Sequence, residues 1–256
     1  MPAIEPVLIH LAADATACDG QVLARFDART PHTGAAPLPL RPLGGAGPEH
    51  WIGCGTTTPA VRGSIRYHAD AHWLVGHLSV DAEDAELAAF RTYRALGDFI
   101  STGNHPFLIR TWNFLDRLNH GHGDAERYRR FCIGRHRAIV QPGFESRLPA
   151  ATVIGTDEDL PGLRLSFLAA TAPGLQIENP RQTSAFAYPR DYGPVAPSFS
   201  RATLIGAHLL VSGTAAVVGH ATRHPHDAAA QLDEITANLE ALLVHARGLH
   251  PAGGSA

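Results

Sequence analysis

"SIRYHADAHWLVGHLSVDAEDAELAAFRTYRALGDFISTGN", residues 64–104, changes its period halfway along. "SIRYH" and "HWLVGHLSV" show enough alternation of apolar and polar residues to predict two strands, with a hairpin turn at "ADA". Beyond Asp81 the apolar residues recur at helical spacing, and Leu87, Phe90, Leu96 and Phe99 form one stripe. Asp81 is placed to cap that helix, and "TGN" followed by Pro106 ends it. A hairpin running into a helix predicts strands and helices in blocks, the mark of an α+β chain.

The same reading extends in both directions. The first 60 residues are rich in proline and glycine, with short strand-like pieces such as "QVLARF". Downstream, "FLIRTWNFL" reads as a buried strand and "GDAERYRRFCIGRHRAI" as a second helix opening after Gly123 and Asp124. Residues 143–150 are loop-like. The strands "ATVIG" and "LRLSFLAA" are then expected to begin a second unit, which divides the chain into residues 1–148 and 149–256. "RATLIGAHLLVSGTAAVVG" predicts two or three strands with a glycine turn. Residues 227–249 predict an amphipathic helix with Leu232, Ile235, Leu239 and Leu242 on one stripe.

Composition narrows the function. Apolar residues make up 45% and charged residues 18% of the 256, so the chain is long and apolar enough for a sizeable core. A net charge of −3 supplies no basic field for nucleic acid or an anionic membrane. All 21 basic residues are arginine, which excludes Schiff-base chemistry and a P-loop, both of which need lysine. Cys18, Cys54 and Cys132 are scattered and suggest no disulfide framework. The N-terminal stretch lacks the features of a signal peptide, and no apolar run is long enough to span a bilayer; a cytoplasmic protein is expected. His68 and His72, the "HGHGD" loop at 120–124, and His220, His224 and His226 show no established ligand spacing, so neither metal nor organic cofactor is expected. Arg129, Arg130 and Arg135 could lower the thiol pKa of Cys132, but a buried structural cysteine is the commoner case.

The passage "YPRDYGPVAPSFSRA", residues 188–202, sets Arg190 and Arg201 on a stiff frame of tyrosine and proline, with Arg181 shortly before. Guanidinium binds carboxylate bidentately in fixed geometry, and proline lowers the entropy lost on ordering a loop. The competing reading pairs one or more of these arginines with Asp191, Glu178 or a buried carbonyl. "SGTAAVVGH", residues 212–220, offers Ser212, Gly213 and Thr214 as close-range donors to an anion, or forms an ordinary turn.

Three motifs in order, "RTWNFLDRLN…GDAERYRRFCIGR" (110–135), "ENPRQTSAFAYPRDYGPVAPSFSRATL" (178–204) and "SGTAAVVGHATRHPHDAAAQLDEITANLEAL" (212–242), together resemble the chorismatases. The resemblance implies a ligand, chorismate, that is a small cyclic dicarboxylate. It implies cofactor-free hydrolysis of its enolpyruvyl ether to pyruvate plus a dihydroxycyclohexadiene carboxylate or a hydroxybenzoate. It also implies an N-terminal chorismatase-like domain followed by a RidA/YjgF-like αβ domain. Arg190 and Arg201 then stand as carboxylate binders with Tyr188 as a nearby hydroxyl donor, and Ser212, Thr214, Ala215 and Arg135 border the pocket. The family's expected general acid is a glutamate on a final strand reading like "CRxDLLVE". No such strand follows "HPAGGSA", so binding is expected to exceed turnover, and the RidA-like unit is expected to be incomplete. A second copy, a complementary chain or residues 1–50 would then cover an open sheet edge.

Overall fold

The computed structural model describes residues 8–11, 22–27, 36–37, 49–53, 55–140, 147–156 and 161–249. In chain order these form β1 (Leu8–Leu11), β2 (Val22–Asp27), β3 (Ala36–Pro37), β4 (Glu49–Ile52), β5 (Thr58–Arg62), β6 (Ile65–Ala69), β7 (Trp73–Val80), α1 (Ala85–Ser101) and β8 (Phe107–Asp116). There follow α2 (Arg127–Ile139), β9 (Ala150–Thr156), β10 (Leu163–Ala170), β11 (Leu175–Ile177), β12 (Ala202–Ile205), β13 (His208–Val211), β14 (Val217–Val218), β15 (Ala221–Thr222) and α3 (Ala228–Leu249). Cys18, Cys54 and residues 143–146 of the loop expected at 143–150 lie outside the described residues.

A six-stranded sheet in the order β5-β6-β7-β10-β8-β9 organises the molecule. Its neighbours are antiparallel except β8 and β9, which run parallel. Central β10 is buried along nearly its whole length, as a strand covered on both faces must be. On one face Leu165 and Phe167 pack with Tyr93, Leu96 and Phe99 of α1 and Phe131 of α2. On the other, Leu168 and Ala170 meet Leu23 of β2, Trp51 of β4 and Ile205 of β12. The chain is α+β, as its block pattern predicts.

The hairpin at 65–80 forms around Asp70, whose Oδ1 accepts from the backbone N–H groups of His72 (2.8 Å) and Trp73 (2.7 Å). The helix cap differs from expectation. Asp84, not Asp81, accepts from Leu87 N at 2.7 Å, because α1 starts at Ala85; Asp81 pairs with Arg164 instead. The buried face of α1 is also rotated from the expected stripe. Small residues Ala85, Ala88 and Ala89 face the core, and Leu87 is 40% exposed. Helix α2 begins at Arg127, after a 3-10 turn at Gly123–Ala125. Strands β9 and β10 join the same sheet as β5–β8, so that sheet crosses the boundary expected after residue 148.

What places the site is the free side of β9. Ala150 N donates to Thr203 Oγ1 (2.9 Å) and Ala151 N to Ser212 Oγ (2.8 Å), while Ser212 Oγ donates to Ser200 O (2.5 Å). These hydroxyls stitch β9 to the small sheet β11-β12-β13, on which α3 packs through Leu242 and Ala246.

Candidate functional site

Helix α2, strand β9, the loop between β11 and β12, and the segment after β13 enclose a cavity of about 700 Å³. Arg135, Tyr188, Arg201, Thr214 and Ala215 all line it, so the fold brings five of the seven expected site residues together. Arg135 projects from α2, is 3% exposed, and lies 4.7 Å from the Tyr93 ring centroid. Among the described residues its Nε and Nη2 have no hydrogen-bond partner. Arg201, 7% exposed, is wedged against Tyr188 and Phe199. Its Nη2 donates to Thr183 O (2.7 Å) and Tyr188 Oη (2.9 Å), and its Nε has no partner among the described residues. Burying an N–H donor of a cation without an acceptor costs several kcal/mol.

The other two expected residues stand elsewhere. Arg190 is exposed and makes a bidentate pair with Asp124 (3.0 and 2.6 Å), which holds the Asp124 carboxyl below the usual carboxylate range. Ser212 is used by the stitch to β9 and does not line the cavity. Arg181 is likewise committed, to Asn238 Oδ1 (2.9 Å) and Glu234 Oε1 (2.5 Å) on α3. Of the competing pairings, the carboxylates are Asp124 for Arg190 and Glu234 for Arg181 in place of Asp191 and Glu178, while Arg201 does bond a backbone carbonyl, that of Thr183. Burial raises the Glu178 carboxyl pKa, while hydrogen bonds from Ser184 and Gln176 and the charge of Arg201 oppose it.

Residues 49–169 match the family model described as chorismatase FkbO/Hyg5-like, N-terminal. Over 156 residues the chain is 40% identical to a chorismatase of Streptomyces rapamycinicus, covering 57% of this chain and 46% of that one. Over 208 residues it is 33% identical to a 3-hydroxybenzoate synthase of Streptomyces hygroscopicus, covering 76% and 60%. A crystal structure of a chorismatase superposes with a TM-score of 0.81 at 25% identity, covering 97% of this chain and 81% of that one. The chain belongs to the FkbO/Hyg5-like chorismatase family. It spans about half the length of the curated chorismatases it matches.

The cavity also draws on residues outside the expected site set. Arg129 lines it but is tied to Glu126 (3.2 Å) and Asp124 (3.7 Å). Tyr192 packs on Tyr188 (5.0 Å) and His220 (5.6 Å) at its wall, in the same "YPRDY" run that the arginine reading emphasised. Thr152 comes from a plain strand and has no signal in the sequence. Cys132 lines the cavity as a neutral thiol: burial pushes its pKa up to about 12, against the opposing pull of Arg135 and Tyr128. The neighbouring arginines do not make it a thiolate. Among the described residues no three His, Cys, Asp or Glu side chains are grouped as a metal site would need.

Proposed function

We propose that this cavity binds chorismate and that the chain serves the hydrolytic removal of its enolpyruvyl group. The observation that carries the reading is a pair of buried arginines, Arg135 and Arg201, that line one cavity of about 700 Å³ and that each keep at least one side-chain N–H without a partner among the described residues. A rigid cyclic dicarboxylate supplies two anions to such a pair, and about 700 Å³ is within the usual range for small-molecule sites. The names printed for the relatives, chorismatase and 3-hydroxybenzoate synthase, support the same ligand class. Water is the co-substrate: a proton goes to the enol methylene carbon and hydroxide to the adjacent ether carbon. The resulting hemiketal breaks its bond to the ring oxygen and releases pyruvate.

That first protonation needs a placed acid. Among the described residues of the wall the only carboxylate is Glu126, and it already accepts from Arg129 Nε. We therefore read this chain as holding chorismate better than it turns it over. The small sheet with α3 is the part we read as RidA/YjgF-like. Calorimetry with chorismate, alongside pyruvate release coupled to lactate dehydrogenase, tests the proposal. Saturable binding between micromolar and millimolar, roughly −8 to −4 kcal/mol, with slow pyruvate release is expected. No binding would overturn the ligand assignment, and rapid release would show that another group delivers the proton.

A further inference from the structure

We infer that the Thr152 hydroxyl donates a hydrogen bond to an oxygen of the bound ligand, its proton directed into the cavity by two donors that already occupy its oxygen. The inference rests on the chorismate reading of the cavity and adds a contact to it. Thr152 stands on β9, opposite Trp112 of β8, and lines the cavity. Its Oγ1 accepts from Nη2 of Arg110, on β8, and from the backbone N–H of Gly213 at 2.9 Å. A hydroxyl oxygen has two lone pairs and one proton. With both lone pairs engaged, what remains is the proton, and among the described residues it meets no acceptor.

Both donors are held where they are. Arg110 is 5% exposed, donates from Nη1 to Thr111 O at 3.0 Å and lies 4.9 Å from the Trp112 ring centroid. Burial brings its pKa down to about 10, which leaves it cationic at neutral pH. The Gly213 N–H also reaches Ala151 O at 3.2 Å, and a Cβ on Gly213 would stand 3.0 Å from Thr152 Cγ2, tighter than ordinary van der Waals contact. This gives the glycine of "SGT" a physical role that a simple turn does not require. Donation from a cation polarises the hydroxyl and makes its own O–H the stronger donor. Thr152 thus complements the two arginines with a short, neutral donor whose direction is set before the ligand arrives.

The alternative is that Thr152 only ties Arg110 to Gly213. Chorismate titrations of the parent chain, Thr152→Val and Thr152→Ser separate the two, with a thermal melt of each. Valine keeps the shape and removes the oxygen; serine keeps the hydroxyl. The valine variant is expected to bind about tenfold to a hundredfold more weakly, the scale of a charge-assisted hydrogen bond. The serine variant should stay within about threefold of the parent. A valine variant that melts lower but binds chorismate like the parent overturns the inference. Because valine leaves Arg110 short of an acceptor, the unsubstituted protein provides a second readout by NMR. The Thr152 hydroxyl proton should move downfield and exchange more slowly when chorismate is added, and an unmoved resonance at saturation overturns the inference. A parent chain that binds no chorismate overturns the underlying reading and this contact with it.

Discussion

Arg135 carries a desolvation cost that its described neighbours do not offset. It is a buried cation with two unpaired donor atoms and one aromatic face for company. Replacing such a charge with an apolar chain of similar length removes an uncompensated desolvation penalty. Arg135→Met is therefore expected to leave the ligand-free melting temperature unchanged or raise it, while weakening chorismate binding by about 1.5–3 kcal/mol. Thermal melts and calorimetry on the same preparation check both halves, and a variant that loses stability but keeps affinity would make Arg135 structural. Arg201 differs in kind. Its bonds to Thr183 O and Tyr188 Oη hold the 183–201 loop together, so its loss would confound binding with loop order. Arg190, exposed and paired with Asp124 in solvent, is the least informative of the three to substitute.

Among the elements, α2 has the narrowest tolerance. It carries Arg135 to the cavity, and one residue earlier Gly134 packs directly on the start of α1. A Cβ on Gly134 would sit 2.0 Å from the backbone oxygen of Glu86, and a backbone carbonyl cannot swing aside as a side chain can. Gly134→Ala is expected to destabilise the fold by about 1–3 kcal/mol, the usual cost of overpacking, or to push α2 outward and drag Arg135 with it. Denaturant unfolding measures the first effect and chorismate affinity the second. A variant as stable as the parent would mean the helices part easily. Behind the segment at 215–217, α3 contributes through the buried Asn238. Its Nδ2 donates to Ala215 O (3.1 Å) and Val217 O (2.9 Å), which sets the segment bordering the cavity against the helix.

At the scale of the whole molecule, burial of histidine sets the response to acid. His77 lies in the middle of the sheet beside Ser166 Oγ, and burial, helped by the charge of His68, lowers its pKa to about 4. His68, His105 and His208 are lowered too, in each case chiefly by burial. The unfolded chain takes up these protons near pH 6.5, whereas the folded chain resists until a lower pH. The stability is therefore fully present above about pH 6.5 and is lost as pH falls toward the folded values. His77 alone accounts for up to about 3 kcal/mol of this loss. Urea unfolding at pH 7.5, 6 and 5 should show a falling midpoint, with a flatter profile for His77→Gln. A parent midpoint constant over that range would mean that His77 protonates inside the fold without penalty.

The pattern of apolar residues was enough to locate β6, β7, α1, β8, β10 and α3: the helices bury one face and show its period, while β7, β8 and β10 are buried nearly throughout and read as apolar runs. Composition excluded lysine chemistry, and the run from Tyr188 to Arg201 pointed to an anion. The sequence left open which arginines face the ligand. Arg190 and Arg201 are similar in sequence context, yet one meets Asp124 in solvent and the other closes on Tyr188 inside the cavity. That choice depends on residues 66 and 13 positions away, which only the folded chain brings near. Thr152 shows the same limit more sharply. In the strand it is an ordinary β-branched residue. It acquires a directed proton only when the parallel pairing of β8 and β9 presents Arg110 and the stitch at Ser212 brings in Gly213. Local periodicity records what each segment buries. The direction of a hydrogen bond depends on where separate segments meet, and that was decided by the tertiary structure.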